Sequence, residues 1–482
     1  MASSLRGTNS APVRHSGLRK RWLPAVAGCM FFGCALTVGL PVSVAQTLAS
    51  ESGQSAEAGP IGLAQAYEQA IQQDATLRAT RAQTVSTAER EVQARAQLRP
   101  RVSFTASRFH NDLDRTQPNF LGQSTTTQEK YYSHSQTLQV RQPIYRPALS
   151  LGVDVAVAQT QDAEATLERA VQTLGVRVVE SYLQVLLAQD RQALLHTQHR
   201  LATQQLDAAR KRFDGGQGIR TDMDEAQARL DLLAAQQLEA SQSRETALMQ
   251  LQLMTQRPAS GVYALDPQAL DADSFMARTP QHWLEKAEAS SPEIKALQAR
   301  LESARIDVQR ASAGHKPTLD AVVQINRSGS ETVTSTQSAY INRQVGLQFD
   351  LPLYAGGAIQ SAVRQALAEQ TRAEETLEAT RRDLALRIQR EWRGITEGVL
   401  RTSALQRAVA SADQVVVSVR RSFEAGMRTV LDVLNAEQQA QQARRDLGEA
   451  RLTYVASRLR LLALAGELDR HQMELAASWF RP

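Results

Sequence analysis

Arg420-Arg-Ser-Phe-Glu-Ala-Gly-Met-Arg-Thr-Val-Leu-Asp-Val-Leu-Asn-Ala-Glu-Gln438 is the stretch from which the fold is read. It lies in a proline-free span running from Leu353 to Arg481. Phe423-Glu-Ala-Gly426 reads as the end of one helix followed by a tight reversal. Glycine supplies the left-handed backbone state that other residues reach only at a cost. A second helix opens at Val430, with Asp432 in its first turn, where a carboxylate complements the positive helix end.

Further toward the N-terminus the same layout occurs as Phe213-Asp-Gly-Gly-Gln-Gly-Ile-Arg-Thr-Asp222-Met-Asp-Glu-Ala226. Phe213 and Phe423, Gly216 and Gly426, Asp222 and Asp432, and Ala226 and Ala436 all stand 210 positions apart. The offset also aligns Ala163-Glu-Ala-Thr-Leu-Glu168 with Ala373-Glu-Glu-Thr-Leu-Glu378, and Tyr182 with Trp392. Two copies of one unit follow from that constancy.

Each copy carries the same programme. Gly62 to Leu98 predicts one helix with an alanine-rich face. Pro100 ends it, and Arg101–Phe109 and Tyr131–Val140 predict strands joined by a polar loop over His110–Lys130. Pro147 suits the first turn of a new helix, and residues 148–257 contain no proline. If helical from Pro147 to Phe213, the chain there extends about 100 Å at ~1.5 Å per residue. The second copy predicts a helix over Pro292–Ala313, strands through Leu319–Ile325 and Val345–Leu351, and another long helical pair. The expected division is a leader at 1–45, a first repeat at 46–257 with a β-hairpin near 101–142, and a connector at 258–283. A second repeat at 284–466, with a hairpin near 318–351, and a tail at 467–482 complete it.

Composition removes several function classes. Five basic residues from Arg6 to Arg21 precede the first acidic one, Glu51, and account for the formal charge of +5. The remainder is neutral, so nothing suggests a nucleic-acid partner. A basic stretch ending at Arg21, an apolar run through Leu40 and the small residues Ser43-Val-Ala45 read as a secretory leader, with an N-terminal membrane anchor as the alternative. Both cysteines, Cys29 and Cys34, fall inside it, and Val26-Ala-Gly-Cys29 leaves too short an apolar core for a lipoprotein signal. No Ser/His/Asp order, metal-spaced His/Cys cluster or glycine-rich phosphate loop is present. The 8 histidines are scattered, so no enzyme, cofactor or metal is expected.

Past the leader, no run approaches the ~18 apolar residues of a membrane helix. An exported chain of this pattern is soluble or crosses a membrane as strands. Four strands cannot close a barrel, since membrane barrels begin at about 8 strands, and open edges cannot face lipid. Several chains must then share one barrel, with three supplying about twelve strands. Two hairpins on a soluble helical protein are the other reading of the strands.

Asp432-Val-Leu-Asn-Ala-Glu-Gln-Gln439, Ala443-Arg-Arg-Asp446, Lys211-Arg-Phe213, Thr221-Asp222, Asp224-Glu-Ala-Gln-Ala-Arg-Leu230 and the Pro-Ile-Tyr145 and Pro-Leu-Tyr-Ala-Gly-Gly357 turns resemble the TolC family of outer-membrane channel-tunnels. The resemblance covers nearly all the chain beyond the leader and points to the type I secretion branch. It implies a mainly α fold with a β-barrel contribution, in which four transmembrane strands per chain join a homotrimeric twelve-strand barrel above a coiled-coil tunnel. It also implies an outer-membrane location reaching into the periplasm and passive export of a protein such as an RTX-type toxin. The implied partners are outer-membrane lipid, a periplasmic adaptor and an inner-membrane ABC transporter.

By the same resemblance, Arg428 stands where the family's gate-linking arginine does, with Thr221 and Asp222 as its acceptors. Phe423 replaces a linking tyrosine. Asp432 matches a ring of carboxylates at the constriction, whose next acidic position is Asn435 here. Gly215, Gly216, Gly218, Gly426 and Met427 mark the reversals that an adaptor would grip. Asp222 and Asp432 as simple helix-start residues, a drug-efflux channel and a structural periplasmic coiled coil are the competing readings.

Overall fold

The computed structural model describes residues 59–269, 279–332 and 335–481. The expected leader, with Cys29 and Cys34, and residues 270–278 of the expected connector lie outside these. Among the described residues no helix is long and apolar enough to cross a membrane.

The elements run β1 (Pro60–Ile61), α1 (Leu63–Gln73), α2 (Ala75–Ala96), β2 (Arg101–Pro118), β3 (Ser124–Tyr145), α3 (Pro147–Asp214) and α4 (Arg220–Thr255). Then follow β4 (Gly261–Val262), β5 (Ala264–Leu265), α5 (Pro280–Ser290), α6 (Pro292–Ser312), β6 (Thr318–Thr332) and β7 (Ser335–Asp350). Last come α7 (Ala358–Glu424), α8 (Val430–Leu464), α9 (Arg470–Ala477) and β8 (Phe480–Arg481). The rods α3 and α7 hold 68 and 67 residues, each about 100 Å long.

Two expectations need correction. The single helix over Gly62–Leu98 is broken at Asp74, whose backbone is extended and whose carboxylate accepts from the Leu77 N–H at 2.8 Å. That side chain caps α2, so the break is a helix start written into the sequence. The loop expected over His110–Lys130 is mostly strand, with β2 and β3 paired without interruption from Arg101↔Arg141 to Pro118↔Ser124. Polar side chains hold this outer part together across the strands: Asn111 donates to Ser133 at 2.9 Å, and Lys130 pairs with Asp112 at 3.4 Å. Alternating hydrophobicity marks only the part of a strand that meets an apolar phase, which is why the polar extension did not read as strand.

The strand order β2-β3-β6-β7 joins the hairpins of both repeats in one antiparallel sheet. Its register separates two faces. One carries the cross-strand rows Val102–Val140–Val323–Val345 and Phe104–Leu138–Ile325, continued toward the helices by Ala321–Leu347 and Leu319–Phe349. The other carries Ser103–Gln139–Gln324–Gln344 and Thr105–Thr137–Asn326–Asn342. Val345, Leu347 and Phe349 are 82, 68 and 63% exposed, so this apolar face is not covered by the chain itself. At the helical end of the polar face, buried Asp320 accepts from Arg141 Nε at 3.0 Å and from Arg146 Nε at 2.8 Å. One carboxylate from the second repeat thereby ties down the strand end and helix start of the first.

The helical core repeats its burial with the sequence offset. Leu174, Val178 and Val185 of α3 are buried, as are Leu384, Ile388 and Ile395 of α7, 210 positions later. Ala226 and Ala240 of α4 likewise match buried Ala436 and Ala450 of α8. Gly394 sits so close to α8 that a Cβ there would meet Ser457 Oγ at 2.7 Å, the close approach that small residues permit. Around the middle of α3, Tyr182 accepts from the Tyr263 N–H at 3.0 Å and meets Phe480 edge-on at 5.1 Å. Arg458 lies over the Trp479 ring at 4.5 Å. The C-terminal aromatics Trp479 and Phe480 are therefore packing residues, both buried.

Candidate gate at the helical hairpins

The two reversals are built alike. In the first, the Gly216 N–H donates to Phe213 O at 3.0 Å and the Gln217 N–H to Arg212 O at 2.9 Å. In the second, Gly426 donates to Phe423 O and Met427 to Ser422 O, both at 2.9 Å. Gly216 and Gly426 have φ of +71° and +78°, the left-handed step of a Schellman ending. Gly218 serves differently, since a Cβ there would stand 2.9 Å from the Phe213 backbone nitrogen. Gly215 and Met427 are exposed at the tips.

The helix starts after the turns differ. Thr429 caps α8 in a reciprocal box: its Oγ1 accepts from the Asp432 N–H at 3.2 Å, and the Asp432 carboxylate accepts from the Thr429 N–H at 2.9 Å. The equivalent residue before α4 is Ile219, which makes no side-chain cap. Thr221 is exposed and Asp222 half-buried in the first turn of α4. The Thr429 backbone N–H, with lesser help from its hydroxyl and from Arg428, holds the Asp432 carboxyl below the usual carboxylate range. Asp432 thus caps its own helix while remaining charged, and Asn435 is exposed one turn further on.

Within the chain, Arg428 pairs with Asp432 at 3.7 Å. Thr221 and Asp222 lie on the other hairpin, and no ion pair joins Asp222 to another described residue. Of the residues that do bridge the hairpins, Phe423 was singled out from sequence and its partners were not. Arg212 of α3 lies over the Phe423 ring of α7 at 4.8 Å, a cation–π contact that needs no hydroxyl. Below it, Glu437 of α8 accepts from Arg420 Nη2 of α7 at 2.6 Å and from Gln205 Nε2 of α3 at 3.2 Å. Glu437 is 17% exposed at its side chain, so this pair is less screened than the surface ion pairs around it. Arg212, Phe423 and Glu437 lie on three different helices, so no local spacing announces these contacts and only tertiary packing shows them.

Long paired helices, two glycine reversals at one end and a two-faced sheet at the other define a channel-tunnel fold, and no catalytic constellation occurs among the described residues. The sequence matches the family described as outer membrane efflux protein over residues 66–255 and 283–467, and the chain belongs to that family. It is similar to the proteases secretion protein PrtF of Dickeya chrysanthemi, at 32% identity over 90% of this chain and 93% of that protein. It is also similar to the alkaline protease secretion protein AprF of Pseudomonas aeruginosa, at 29% over 88% of each chain. Outer membrane protein TolC of Escherichia coli is 28% identical over 90% of this chain and 87% of that one. Among solved structures, VceC of Vibrio cholerae superposes with a TM-score of 0.69 at 19% identity, covering 84% of this chain and 97% of that chain. At that identity the likeness shows the fold alone.

Proposed function

We propose that this chain is the outer-membrane conduit of a type I secretion system, passing an unfolded protein from an inner-membrane ABC transporter and a periplasmic adaptor to the exterior. The observation that carries the reading is the two-faced sheet. Its apolar face suits lipid and its polar face an aqueous lumen, while β2 and β7 are edges with neighbours on one side only. Such edges are not tolerated in hydrocarbon. Pairing β7 of one chain with β2 of the next closes a barrel of about twelve strands from three chains. The relatives named for protease secretion favour a protein cargo over the small solutes of an efflux pump.

In the trimer, Arg428 engages Thr221 and Asp222 of the neighbouring hairpin when the tunnel is shut. A guanidinium fork on a carboxylate is directional and releasable, as a latch requires. Asp432 contributes three carboxylates around the axis, and the exposed tips with Gly215, Gly216, Gly218, Gly426 and Met427 meet the adaptor. The test is complementation of a strain lacking its type I outer-membrane protein. Restored secretion of a reporter protein supports the reading, whereas restored dye efflux without secretion replaces it with drug export. In planar bilayers Arg428→Ala is expected to raise single-channel conductance several-fold, and unchanged conductance removes the latch role.

A further inference from the structure

We infer that the lipid-facing surface of the sheet carries an arginine belt that binds phosphate-bearing lipid headgroups of the outer leaflet. The inference rests on the barrel reading above and on three residues outside the gate. Arg108 of β2, Arg327 of β6 and Arg343 of β7 all lie on the apolar face by register. Arg343 ends the Phe104–Leu138–Ile325 row; Arg327 stands one row further from the helices, beside Gln136; Arg108 stands one row beyond that, beside His134. All three are exposed, and none forms an ion pair among the described residues. Arg108 lies 4.9 Å over the ring of Tyr132, on the same face. Interfacial aromatics of this kind mark the headgroup level of membrane barrels.

The diagonal becomes a level line once the strands tilt. The Asn119 N–H donates to Gln123 O at 2.8 Å, so odd residues of β2 form the hydrogen-bonded pairs with β3 and even ones turn Cα–H toward it. With L-residues and even side chains facing outward, β3 lies to the left of an ascending β2. Right-handed twist leans barrel strands to the right as they rise, so within a row each strand to the left stands higher. At a tilt of ~40°, that step is about 3 Å per strand, against about 5 Å per row of two residues. Arg108 to Arg327 is two strands left and one row down; Arg327 to Arg343 is one strand left and one row down. The three guanidinium positions therefore agree in height to about 2 Å.

The other membrane boundary falls in the right place. Leu353 and Tyr354, each 89% exposed, follow β7 at its helical end. Arg343 to the strand end at Asp350 covers about 18 Å of height at that tilt, and the residues up to Tyr354 continue it toward the ~25 Å apolar band of membrane barrels. Beyond the belt on the same face stand Asp112, partly neutralised by Lys130 at 3.4 Å, and Asp114, three rows past Arg108. Three uncompensated cations at the outer apolar boundary fit phosphate, and the apolar rows beneath fit acyl chains.

Detergent-extracted wild-type protein and an R108Q/R327Q/R343Q variant would be titrated with bisphosphorylated lipid A, its dephosphorylated form and inorganic phosphate, with retention read by native mass spectrometry. Arg101→Gln, the loss of one arginine charge from the polar face, is the control for each single substitution. The belt predicts retention of the phosphorylated lipid that falls about fivefold per arginine removed, with Arg101→Gln unchanged. Equal retention by the triple variant, equal retention of the dephosphorylated lipid, or displacement by equimolar inorganic phosphate overturns it. Bilayer conductance of the same samples separates the two levels. A conducting triple variant that has lost lipid supports the belt, a conducting wild type without lipid preference defeats the belt alone, and a wild type that forms no pore defeats the channel reading.

Discussion

Glu437 is the side chain on which the resting hairpin arrangement depends most. It receives Arg420 from its own hairpin and Gln205 from the other. Removing it leaves the exposed Arg420 guanidinium without its carboxylate and deletes the Gln205 bond between α3 and α8. Glu437→Ala is therefore expected to raise resting conductance in planar bilayers several-fold, whereas the isosteric Glu437→Gln keeps the Gln205 bond and gives a smaller rise. Asp432 bears a pH signature. A carboxyl held below its ordinary pKa by the folded state contributes stability above that ordinary value and loses it as pH falls through the lowered one. The difference in unfolding between wild type and Asp432→Ala should be constant from neutral pH down to the usual carboxylate range and vanish in stronger acid. A difference that grew on acidification would refute the capping geometry. Of these residues, Asp432 was legible in the sequence as a helix-start carboxylate, because helix starts are local. Glu437 and Arg212 were not, because their partners lie on another helix.

The hairpin is the element that duplication makes recognisable. Paired glycines with positive φ, 210 positions apart, told where both rods reverse, and the structure ends α3 and α7 at Asp214 and Glu424 in step. Gly216→Ala or Gly426→Ala should each cost about 1 kcal/mol, since alanine at positive φ is strained. Faster proteolytic nicking at the tips, with the rods intact, is the readout. A nicking rate equal to wild type would show that the left-handed step is dispensable. The hairpins of the sheet were legible only where hydrophobic alternation persists. Their polar extension to Pro118 and Ser124 is held by cross-strand pairs that no single strand announces. The break at Asp74 was missed for a different reason: a capping aspartate inside an unbroken alanine-rich pattern looks like any surface acid until its backbone is seen to extend.

At the scale of the molecule, a duplicated chain of rods carries a small two-faced sheet whose edge strands β2 and β7 each have a neighbour on one side only. The fold class could be read from the repeat, while the proposed closure rests on counting strands against the minimum for a barrel. The measurement that bears most directly on this is the native mass of the detergent-extracted protein. Closure by shared strands predicts an assembly of three chains that conducts ions in a bilayer. A conducting monomer, or a stable dimer, would contradict it.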